Sequence, residues 1–239
     1  MSNLFKPQEG SVNRFSDPEH TSFIEGDKAA KHALEHAPDG DPKAILDAVD
    51  KFSNTNEDII HIGSCKGPLI DEQVHIIKPK VIVELGTYIG YSAIRLAYEA
   101  LKVNKEVQLH SYDIEPKMVE TARKMVSKAG LSSTIHIHHG EFKDLASELR
   151  ESLGPETYVD LILLDHWKPS YTPDTQKIID MGLVRPGTCL IADNCIIPGA
   201  PEFVEYIQQS PEWDDHMVRI PYREGAKEED GVVIAIYRG

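Results

Sequence analysis

The feature that most constrains the fold of this chain is the alternation of short apolar runs with longer amphipathic segments from residue 81 onward. The short runs are apolar at almost every position, which is typical of strands whose two faces are both covered. In the segments between them, apolar residues recur at the spacing of a helix. Strands that alternate with helices are joined by crossovers and lie parallel. The alternation therefore predicts an α/β fold with a doubly wound, mostly parallel sheet.

Seven segments fit strands, and helices separate most of them. The predicted strands cover residues 81–85, 107–112, 134–138, 159–164, 188–192, 217–220 and 232–237. The predicted helices cover residues 90–100, 116–129, 144–153, 173–181 and 200–208. The polar loop 225–230 before the last strand is short enough for a hairpin. We therefore expect a seven-stranded sheet with an antiparallel C-terminal strand.

Extra helices are expected on the N-terminal side of the sheet. Apolar residues recur at helical spacing over residues 29–37, 44–52 and 67–79. Gly40 is suited to end the first of these helices, and Asp41 followed by Pro42 is suited to begin the second. Residues 1–25 are polar with little periodicity, which predicts a poorly ordered arm. No linker or repeat divides residues 26–239, so they are expected to form a single domain.

The composition argues against several classes of partner. Nucleic acids and anionic membranes select basic surfaces, so the net charge of −14 argues against both and favours a small-molecule ligand. The cysteines Cys65, Cys189 and Cys195 show no paired spacing, which does not indicate a disulfide framework. The sequence shows no signal peptide and no run of the roughly 18 apolar residues that span a membrane. We expect a cytoplasmic protein that acts as a monomer.

Acidic residues end or follow four of the first five predicted strands. They are Glu84, Asp113, Asp165 and Asp193, the last followed by Asn194. A single acid at such a point is most often a helix cap or a solvated turn residue. In open α/β sheets, however, ligands bind beyond the carboxyl ends of the strands. Four acids that converge on one edge therefore indicate a polar ligand site.

The turn after the first strand contains Gly86 and Gly90. Glycine lets the backbone approach a ligand closely there, although tight packing of strand against helix is an equal alternative. The spacing is not the GxGxxG of a pyrophosphate-binding turn. Asp113, at the end of the second strand, is suited to accept hydrogen bonds from both hydroxyls of a ribose. These residues indicate a nucleoside and do not distinguish NAD from S-adenosylmethionine (SAM).

Asp165, Asp193 and Asn194 are expected to lie together. One helix joins the fourth and fifth strands, so these strands are expected to be neighbours about 4.8 Å apart. Two close carboxylates repel each other unless a cation lies between them. Three oxygen ligands without sulfur or a histidine pair suit Mg²⁺. The alternative is a protonated or water-bridged pair of acids.

His166, Trp167 and Lys168 follow Asp165 directly. Beside a divalent cation, a partly buried lysine loses its proton more easily than a free one, so Lys168 is a candidate base. An ordinary surface lysine is the alternative. Trp167 is suited either to lie against a flat ligand or simply to pack. His166 fits a packing or adenine-contacting role better than a metal ligand, because its neighbours already supply oxygens.

Taken together, these segments resemble the catechol O-methyltransferase family. Val-Glu-Leu-Gly-Thr-Tyr-Ile-Gly-Tyr-Ser-Ala at 83–93 is similar to the family's SAM-binding motif. Leu-Asp-His-Trp-Lys at 164–168 and Tyr-Thr-Pro-Asp-Thr at 171–175 are also similar to family motifs. The same holds for Ala-Asp-Asn at 192–194 and Ile-Pro-Gly-Ala-Pro at 197–201. The match runs from Ile60 to Gly239 with its spacing preserved.

The resemblance implies a Rossmann-like methyltransferase fold and methyl transfer from SAM to one hydroxyl of a catechol-type diol chelated to Mg²⁺. The implied magnesium ligands are Asp165, Asp193 and Asn194, and Lys168 would take the proton of the hydroxyl that is methylated. The implied SAM-binding residues are Ile62, Glu84, Gly86, Tyr88, Ser92, Asp113, Gly140, Lys143, Asp165 and His166. Lys168, Asn194 and Trp167 would contact the substrate.

Two positions depart from the family pattern. The family has a glutamate that contacts the second hydroxyl just before a Tyr-Arg-Glu stretch, and this chain has Pro221 there. Glu224 is a candidate substitute. The family also has an aromatic gatekeeper where this chain has Asp58. These departures bear on the identity of the diol and leave the metal and methyl chemistry intact.

Three other functions remain open from the sequence. An NAD-dependent dehydrogenase would share the sheet and Asp113, but it would not need Asp165 with Asp193 and Asn194. A metal-dependent O-methyltransferase for a CoA-linked phenol would require a different helix-rich front end and substrate loop. A SAM-binding protein that has lost catalysis would require a blocked Lys168 or an empty metal site.

Overall fold

The structure, a computed structural model, describes residues 21–55 and 59–239 and contains one seven-stranded sheet of order β3-β2-β1-β4-β5-β7-β6. The strands are β1 (Val81–Leu85), β2 (Gln108–Asp113), β3 (Ile135–His139), β4 (Leu161–Leu164), β5 (Cys189–Ala192), β6 (Trp213–Pro221) and β7 (Glu229–Tyr237). The first five strands pair in parallel, and β7 pairs antiparallel with both β5 and β6. The predicted fold class is confirmed.

Helices cover both faces of this sheet. They are α1 (Thr21–His36), α2 (Pro42–Ser53), α3 (Gly63–Ile77), α4 (Tyr91–Val103), α5 (Pro116–Lys128), α6 (Phe142–Leu153), α7 (Tyr171–Asp180) and α8 (Pro201–Gln209). Successive residues of a central strand enter two separate apolar clusters. In β4, Leu161 and Leu163 belong to one cluster, and Ile162 and Leu164 belong to the other. Burial on both faces explains why this strand is apolar at every position.

The C-terminal hairpin is longer than predicted. The loop was expected at 225–230, whereas β6 ends at Pro221 and β7 begins at Glu229. β6 also begins at Trp213, four residues before the predicted start. Along its first five residues, buried or half-buried positions alternate with exposed ones, so no apolar run marks this part of the strand. Apolar runs alone do not reveal a strand that is covered on one face only. The antiparallel ending itself is confirmed.

The N-terminal helices form as predicted, with two changes of boundary. Asp41 caps α2 by accepting a hydrogen bond from the amide of Ala44 at 3.0 Å. α3 begins at Gly63 rather than Gly67. α1 begins at Thr21, inside the expected arm of residues 1–25, because Phe23 is buried in the core and ties the first turn of the helix to the domain. The rest of that arm, residues 1–20, lies outside the described residues.

Within the described parts of the chain, no helix combines the length and apolarity that crossing a membrane requires.

Gly26 in α1 leaves room for the side chain of Tyr88, and this close packing leads to a stability prediction. A Cβ at Gly26 would lie 2.0 Å from the Tyr88 hydroxyl oxygen. Replacing glycine by alanine within a helix normally stabilises it by about 1 kcal/mol, whereas overpacking a core costs about 1–3 kcal/mol. We expect Gly26→Ala to lower the free energy of unfolding measured by chemical denaturation.

The control for this prediction removes the Tyr88 ring. In a Tyr88→Ala background, Gly26→Ala has no ring to displace, and it should raise the free energy of unfolding as the helix preference for alanine dictates. Stabilisation by the single substitution would contradict the close packing of the two residues.

Candidate active site

The carboxyl ends of β1 and β4 approach each other closely at the edge of the sheet. The amide of Asp165 donates to the carbonyl oxygen of Leu85 at 2.8 Å. Gly86 has φ +102°, and a Cβ there would lie 2.6 Å from the carbonyl oxygen of Asp165. Only glycine fits this backbone conformation and this space without a shift. Gly86 therefore allows the turn after β1 to lie directly beside Asp165.

Glu84 is a fully buried acid just below this edge. Its side chain is 0 % exposed, and its Oε2 accepts a hydrogen bond from the hydroxyl of Ser111. Its Oε1 is buried and has no hydrogen-bond partner among the described residues. Burial raises the pKa of the Glu84 carboxyl to about 8, although the hydroxyls of Ser111 and Ser92 oppose this shift. Such a carboxyl is suited to receive a cationic group of a ligand.

Asp113 ends β2 and organises the loop after β1. Its Oδ2 accepts from the amide of Tyr88 at 2.7 Å, and its Oδ1 accepts from the amide of Glu115 at 2.9 Å. Each carboxylate oxygen has a second lone-pair site and is able to accept a further bond. Burial raises the pKa of the Asp113 carboxyl. The amide of Gly140 donates to the carbonyl oxygen of Asp113 at 2.9 Å, which brings the loop after β3 to the same place.

Tyr88 has an unusual backbone conformation in this loop. Its φ is +50°, which bulky residues rarely adopt. Its backbone amide donates a hydrogen bond to Asp113, and its hydroxyl donates to the carbonyl oxygen of Ser22 in α1. Its ring also packs against Phe23. Strained residues of this kind are held in place by their surroundings and occur often at ligand sites.

The other residues implied in SAM binding fall into a buried group and an exposed one. Ile62 is 4 % exposed directly before α3, and Ser92 is 8 % exposed in the first turn of α4. Lys143, in contrast, is exposed, and its ammonium forms an ion pair with Glu141 at 2.5 Å. The structure thus places Ile62 and Ser92 in the interior and directs the Lys143 charge to a surface pair.

Lys168 lies beside Asp165 and is anchored by Tyr171. Its Nζ is 3.2 Å from Asp165 Oδ1 and donates to the Tyr171 hydroxyl at 2.8 Å. The Tyr171 hydroxyl in turn donates to the carbonyl oxygen of Leu164 at 2.8 Å and to that of Asp193 at 3.0 Å. Burial raises the pKa of the Asp165 carboxyl to about 6. The charge of Lys168 opposes this rise, and the charge of Asp193 adds to it. Tyr171 thereby joins the lysine to the ends of both strands.

His166 and Trp167 lie between Asp165 and Lys168, and both side chains are half-buried. The His166 Nε2 lies 3.0 Å from Asp174 Oδ2 in α7, which fixes the orientation of the ring. The ring also stacks on Tyr171, with 5.0 Å between the ring centroids. Burial lowers the pKa of His166, although Asp174 opposes the shift. A neutral ring beside the strand ends agrees with a packing or ligand-contacting role.

Asp193 lies next to Asp165 as predicted, because Leu164 and Ala192 are partners in the parallel ladder of β4 and β5. Its carboxylate, however, already has a cationic partner that sequence reasoning missed. Lys66 Nζ lies 2.6 Å from Asp193 Oδ1 and 2.7 Å from Asp230 Oδ2. Burial opposes the charge of Lys66, but the two carboxylates outweigh it and raise the pKa of the lysine.

Asn194 completes this group with a backbone in the left-handed region, at φ +57°. Asparagine tolerates this conformation better than most residues. Its side-chain Nδ2 donates to Asp230 Oδ2 at 2.8 Å. Asp165, Asp193 and Asn194 are thus brought to one edge by β4 and β5, as the strand order predicted.

One signal in the sequence could have revealed Lys66. Ile62, Lys66, Ile70 and Val74 recur every four residues, which places them on one face of a helix. All four are buried in the structure. A lysine on an otherwise apolar stripe requires a buried carboxylate partner. No comparable local signal marks Asp230, because its partners lie far away in the sequence.

The structure describes only one of the two positions that depart from the family pattern. Pro221 ends β6, opposite Glu229, and is exposed. Glu224 follows in the exposed turn, where its charge contributes to the raised pKa of Cys65 after the larger effect of burial. Asp58 lies outside the described residues.

Comparison with known proteins supports the family that these motifs resemble. The family model described as O-methyltransferase matches residues 36–219. The catechol O-methyltransferase of Mus musculus is 34 % identical over 226 residues, which cover 93 % of this chain and 83 % of that protein. The catechol O-methyltransferase of Bos taurus is 35 % identical over 210 residues, covering 87 % of this chain and 75 % of that protein.

Solved structures share the fold. The O-methyltransferase TomG from Streptomyces achromogenes, determined in complex with SAM, matches with a TM-score of 0.67 at 21 % identity. The match covers 81 % of this chain and 89 % of that one. This likeness concerns the fold, whereas the sequence matches span most of the chain at higher identity. The chain therefore belongs to the O-methyltransferase family and is a SAM-dependent relative of the catechol O-methyltransferases.

Proposed function

We propose that the protein transfers the methyl group of SAM to one hydroxyl of a catechol-type vicinal diol held at a Mg²⁺ site, with Lys168 as the base. The observation that carries this proposal is the convergence of Asp165, Asp193 and Asn194 beside Lys168 at the ends of β4 and β5. The relatives named catechol O-methyltransferase support the class of acceptor. The unpaired cysteines Cys65, Cys189 and Cys195 fit a reducing compartment such as the cytoplasm.

The SAM site is proposed at the ends of β1 and β2. Glu84 Oε1, which is buried without a hydrogen-bond partner among residues 21–55 and 59–239, fits the ammonium group of the methionine part. Asp113 is proposed to hold the ribose hydroxyls, and His166 to lie against the adenine. The remaining proposed contacts come from Ile62, Gly86, Tyr88, Ser92, Gly140, Lys143 and Asp165. When bound, SAM supplies a methyl group on a positively charged sulfur.

The magnesium site is proposed at Asp165, Asp193 and Asn194. Mg²⁺ usually takes one or two carboxylates and keeps several waters, so two acids and one amide oxygen fit it. Across the residues that the structure describes, no group of three or more His, Cys, Asp or Glu side chains could hold a metal ion. The proposed site contains only two such side chains and depends on Asn194 and water for the rest. When bound, the ion favours the ionised form of a neighbouring hydroxyl.

Lys168 is proposed to accept the proton of the hydroxyl that is methylated. Asp165 and Tyr171 hold its amine within 3.2 Å and 2.8 Å, which limits the rotamers of a long side chain. Trp167 and Asn194 are proposed to contact the diol, the indole against the flat ring. Pro221 offers no charged group to the second hydroxyl, and Glu224 is the proposed substitute. No covalent bond between the enzyme and the substrate is required.

Methyl transfer is expected to depend on the metal. With labelled SAM, we expect transfer to members of a catechol panel when Mg²⁺ is present and none when EDTA replaces it. Asp165→Ala should lower the rate by about 100-fold or more, because it removes a ligand of the site. Asp47→Ala, which changes an exposed acid paired with Lys43, is the matched control and should leave the rate unchanged. Transfer that persists in EDTA would contradict the proposal.

Replacing the proposed base, Lys168, is expected to slow methyl transfer. Lys168→Met keeps the length of the side chain and removes the amine, and we expect kcat to fall by about 10²–10⁴-fold. SAM affinity, measured by calorimetry, should be retained. Lys51→Met, an exposed lysine of α2, is the matched control. A Lys168→Met enzyme with undiminished kcat would exclude the lysine as the base.

The stability of the ligand-free protein is expected to depend on pH through Glu84. The pKa of Glu84 is about 8 in the folded state against an ordinary value of 4.5, so between these values the folded state keeps a proton that the unfolded state has lost. Raising the pH through this window therefore lowers the free energy of unfolding. Glu84→Gln has no carboxyl to titrate, so its free energy of unfolding should not fall in this way. Relative to the wild type, the variant should gain on the order of a few kcal/mol by about pH 8.

Thermal melts of both proteins from pH 5 to 9 measure this difference, and subtraction of the two curves isolates Glu84 from other titrating groups. Glu84→Gln should also bind SAM more weakly, because an amide is unable to ionise beside the ammonium group as the Glu84 carboxyl does. A constant stability difference across the pH range would show that Glu84 titrates normally.

A further inference from the structure

Lys66 and Asp230 form a buried ion pair behind the proposed metal ligands. Lys66 is 3 % exposed and Asp230 is 0 % exposed, and the chemistry proposed above uses neither. They come from α3 and from the beginning of β7, and they meet at the end of β5. Removing charged groups from water is costly, so a buried pair of this kind is weak evidence for stability alone. Its contacts indicate another role.

The ion pair determines which oxygen of Asp193 is available. Lys66 Nζ donates to Asp193 Oδ1 at 2.6 Å, and the backbone amide of Asn194 donates to the same oxygen at 2.7 Å. Among the described residues, no hydrogen bond uses Asp193 Oδ2. One oxygen is thus held by the protein, and the other is left for a ligand.

The ion pair also determines the orientation of the side-chain amide of Asn194. Asp230 Oδ2 accepts from Asn194 Nδ2 at 2.8 Å, and a carboxylate is able only to accept. A flipped amide would place two acceptors against each other, so Asn194 Oδ1 must point away from Asp230. Asp230 Oδ1 is itself held by the amides of Ile196 at 3.1 Å and Ile197 at 2.8 Å.

We propose that Lys66 and Asp230 are positioning residues, which hold Asp193 Oδ2 and Asn194 Oδ1 toward the magnesium site; this inference rests on the proposed function. Groups that orient metal ligands commonly change metal affinity by about 10–100-fold when they are mutated. Lys66 acts on the acid, Asp230 acts on the amide, and the bond between them couples the two. The pair therefore controls two of the three proposed ligands at once.

A simple effect of charge makes a different prediction from positioning. Lys66→Met removes a positive charge near the site, which by charge alone would strengthen binding of a cation. Asp230→Asn removes a negative charge, which by charge alone would weaken it. Positioning predicts that both substitutions weaken binding, since each releases one ligand. The sign of the Lys66→Met effect therefore separates the two explanations.

The experiment measures Mg²⁺ binding by calorimetry to full-length protein saturated with S-adenosylhomocysteine. We expect the Kd for Mg²⁺ to rise by about 10–100-fold in Lys66→Met and in Asp230→Asn. The affinity for S-adenosylhomocysteine, measured separately, should be unchanged, since a general loss of structure would lower both. The Asp165→Ala variant, which lacks a proposed ligand, should show the largest loss.

Asp71→Asn is the matched control. Asp71 also lies on α3 and pairs with Arg95 at 2.6 Å and 2.8 Å, away from the strand ends. Its loss should leave the Kd for Mg²⁺ unchanged. If Lys66→Met does not fold because Asp193 and Asp230 lose their cation, the double variant Lys66→Met with Asp230→Asn replaces it. This variant removes one charge of each sign, so a charge effect predicts no change in the Kd, whereas positioning predicts weaker binding.

The outcomes separate this inference from the proposed function. Tighter Mg²⁺ binding in Lys66→Met, or unchanged binding in both variants, would overturn the positioning role while wild-type binding upholds the metal site. A wild-type protein that binds no Mg²⁺ would overturn the metal site and the positioning role together. Weakened binding in both variants, with the Asp71→Asn control unchanged, supports the inference.

Discussion

The parallel pairing of β4 with β5 brings Asp165 and Asp193 side by side, because each acid follows directly after a partner in the ladder. Two carboxylates that leave water together repel each other and lose hydration, so they require positive charge close by. The protein supplies that charge through Lys168 after β4 and Lys66 in α3. The placement of α3 against the sheet is thus linked to the charges at the strand ends.

The sequence predicted most of the sheet because its central strands are covered on both faces and are apolar throughout. It also predicted that Asp165, Asp193 and Asn194 would meet, since one helix joins their strands. The alternating strand β6 was only partly recognised, because half of its residues face solvent. Lys66 bonds to residues 127 and 164 positions away, and no local pattern encodes such pairings. Long-range polar contacts therefore needed the structure.

Two features of the proposed SAM site are costly for stability. Glu84 is buried, and one of its oxygens has no partner within the described part of the chain. Tyr88 keeps a backbone conformation that bulky residues avoid. Each feature is costly in the absence of a ligand, and the surrounding packing must compensate. Tyr88 illustrates the compensation, because its hydroxyl donates a hydrogen bond to α1 and its backbone amide donates one to Asp113. The N-terminal helix is thereby connected to the residue proposed to hold the ribose.

The position of β7 has a consequence for how the protein is made. β7 lies between β5 and β6 in the sheet, although it is the last strand in the chain. A nascent chain on the ribosome has β1 to β5 before β7 emerges, and until then the edge of β5 is open to unwanted pairing. Asp230 also arrives with β7, so the side-chain amide of Asn194 lacks this hydrogen-bond partner until 36 further residues have been added. Chains that terminate early would carry the motifs of a methyltransferase without an ordered active site.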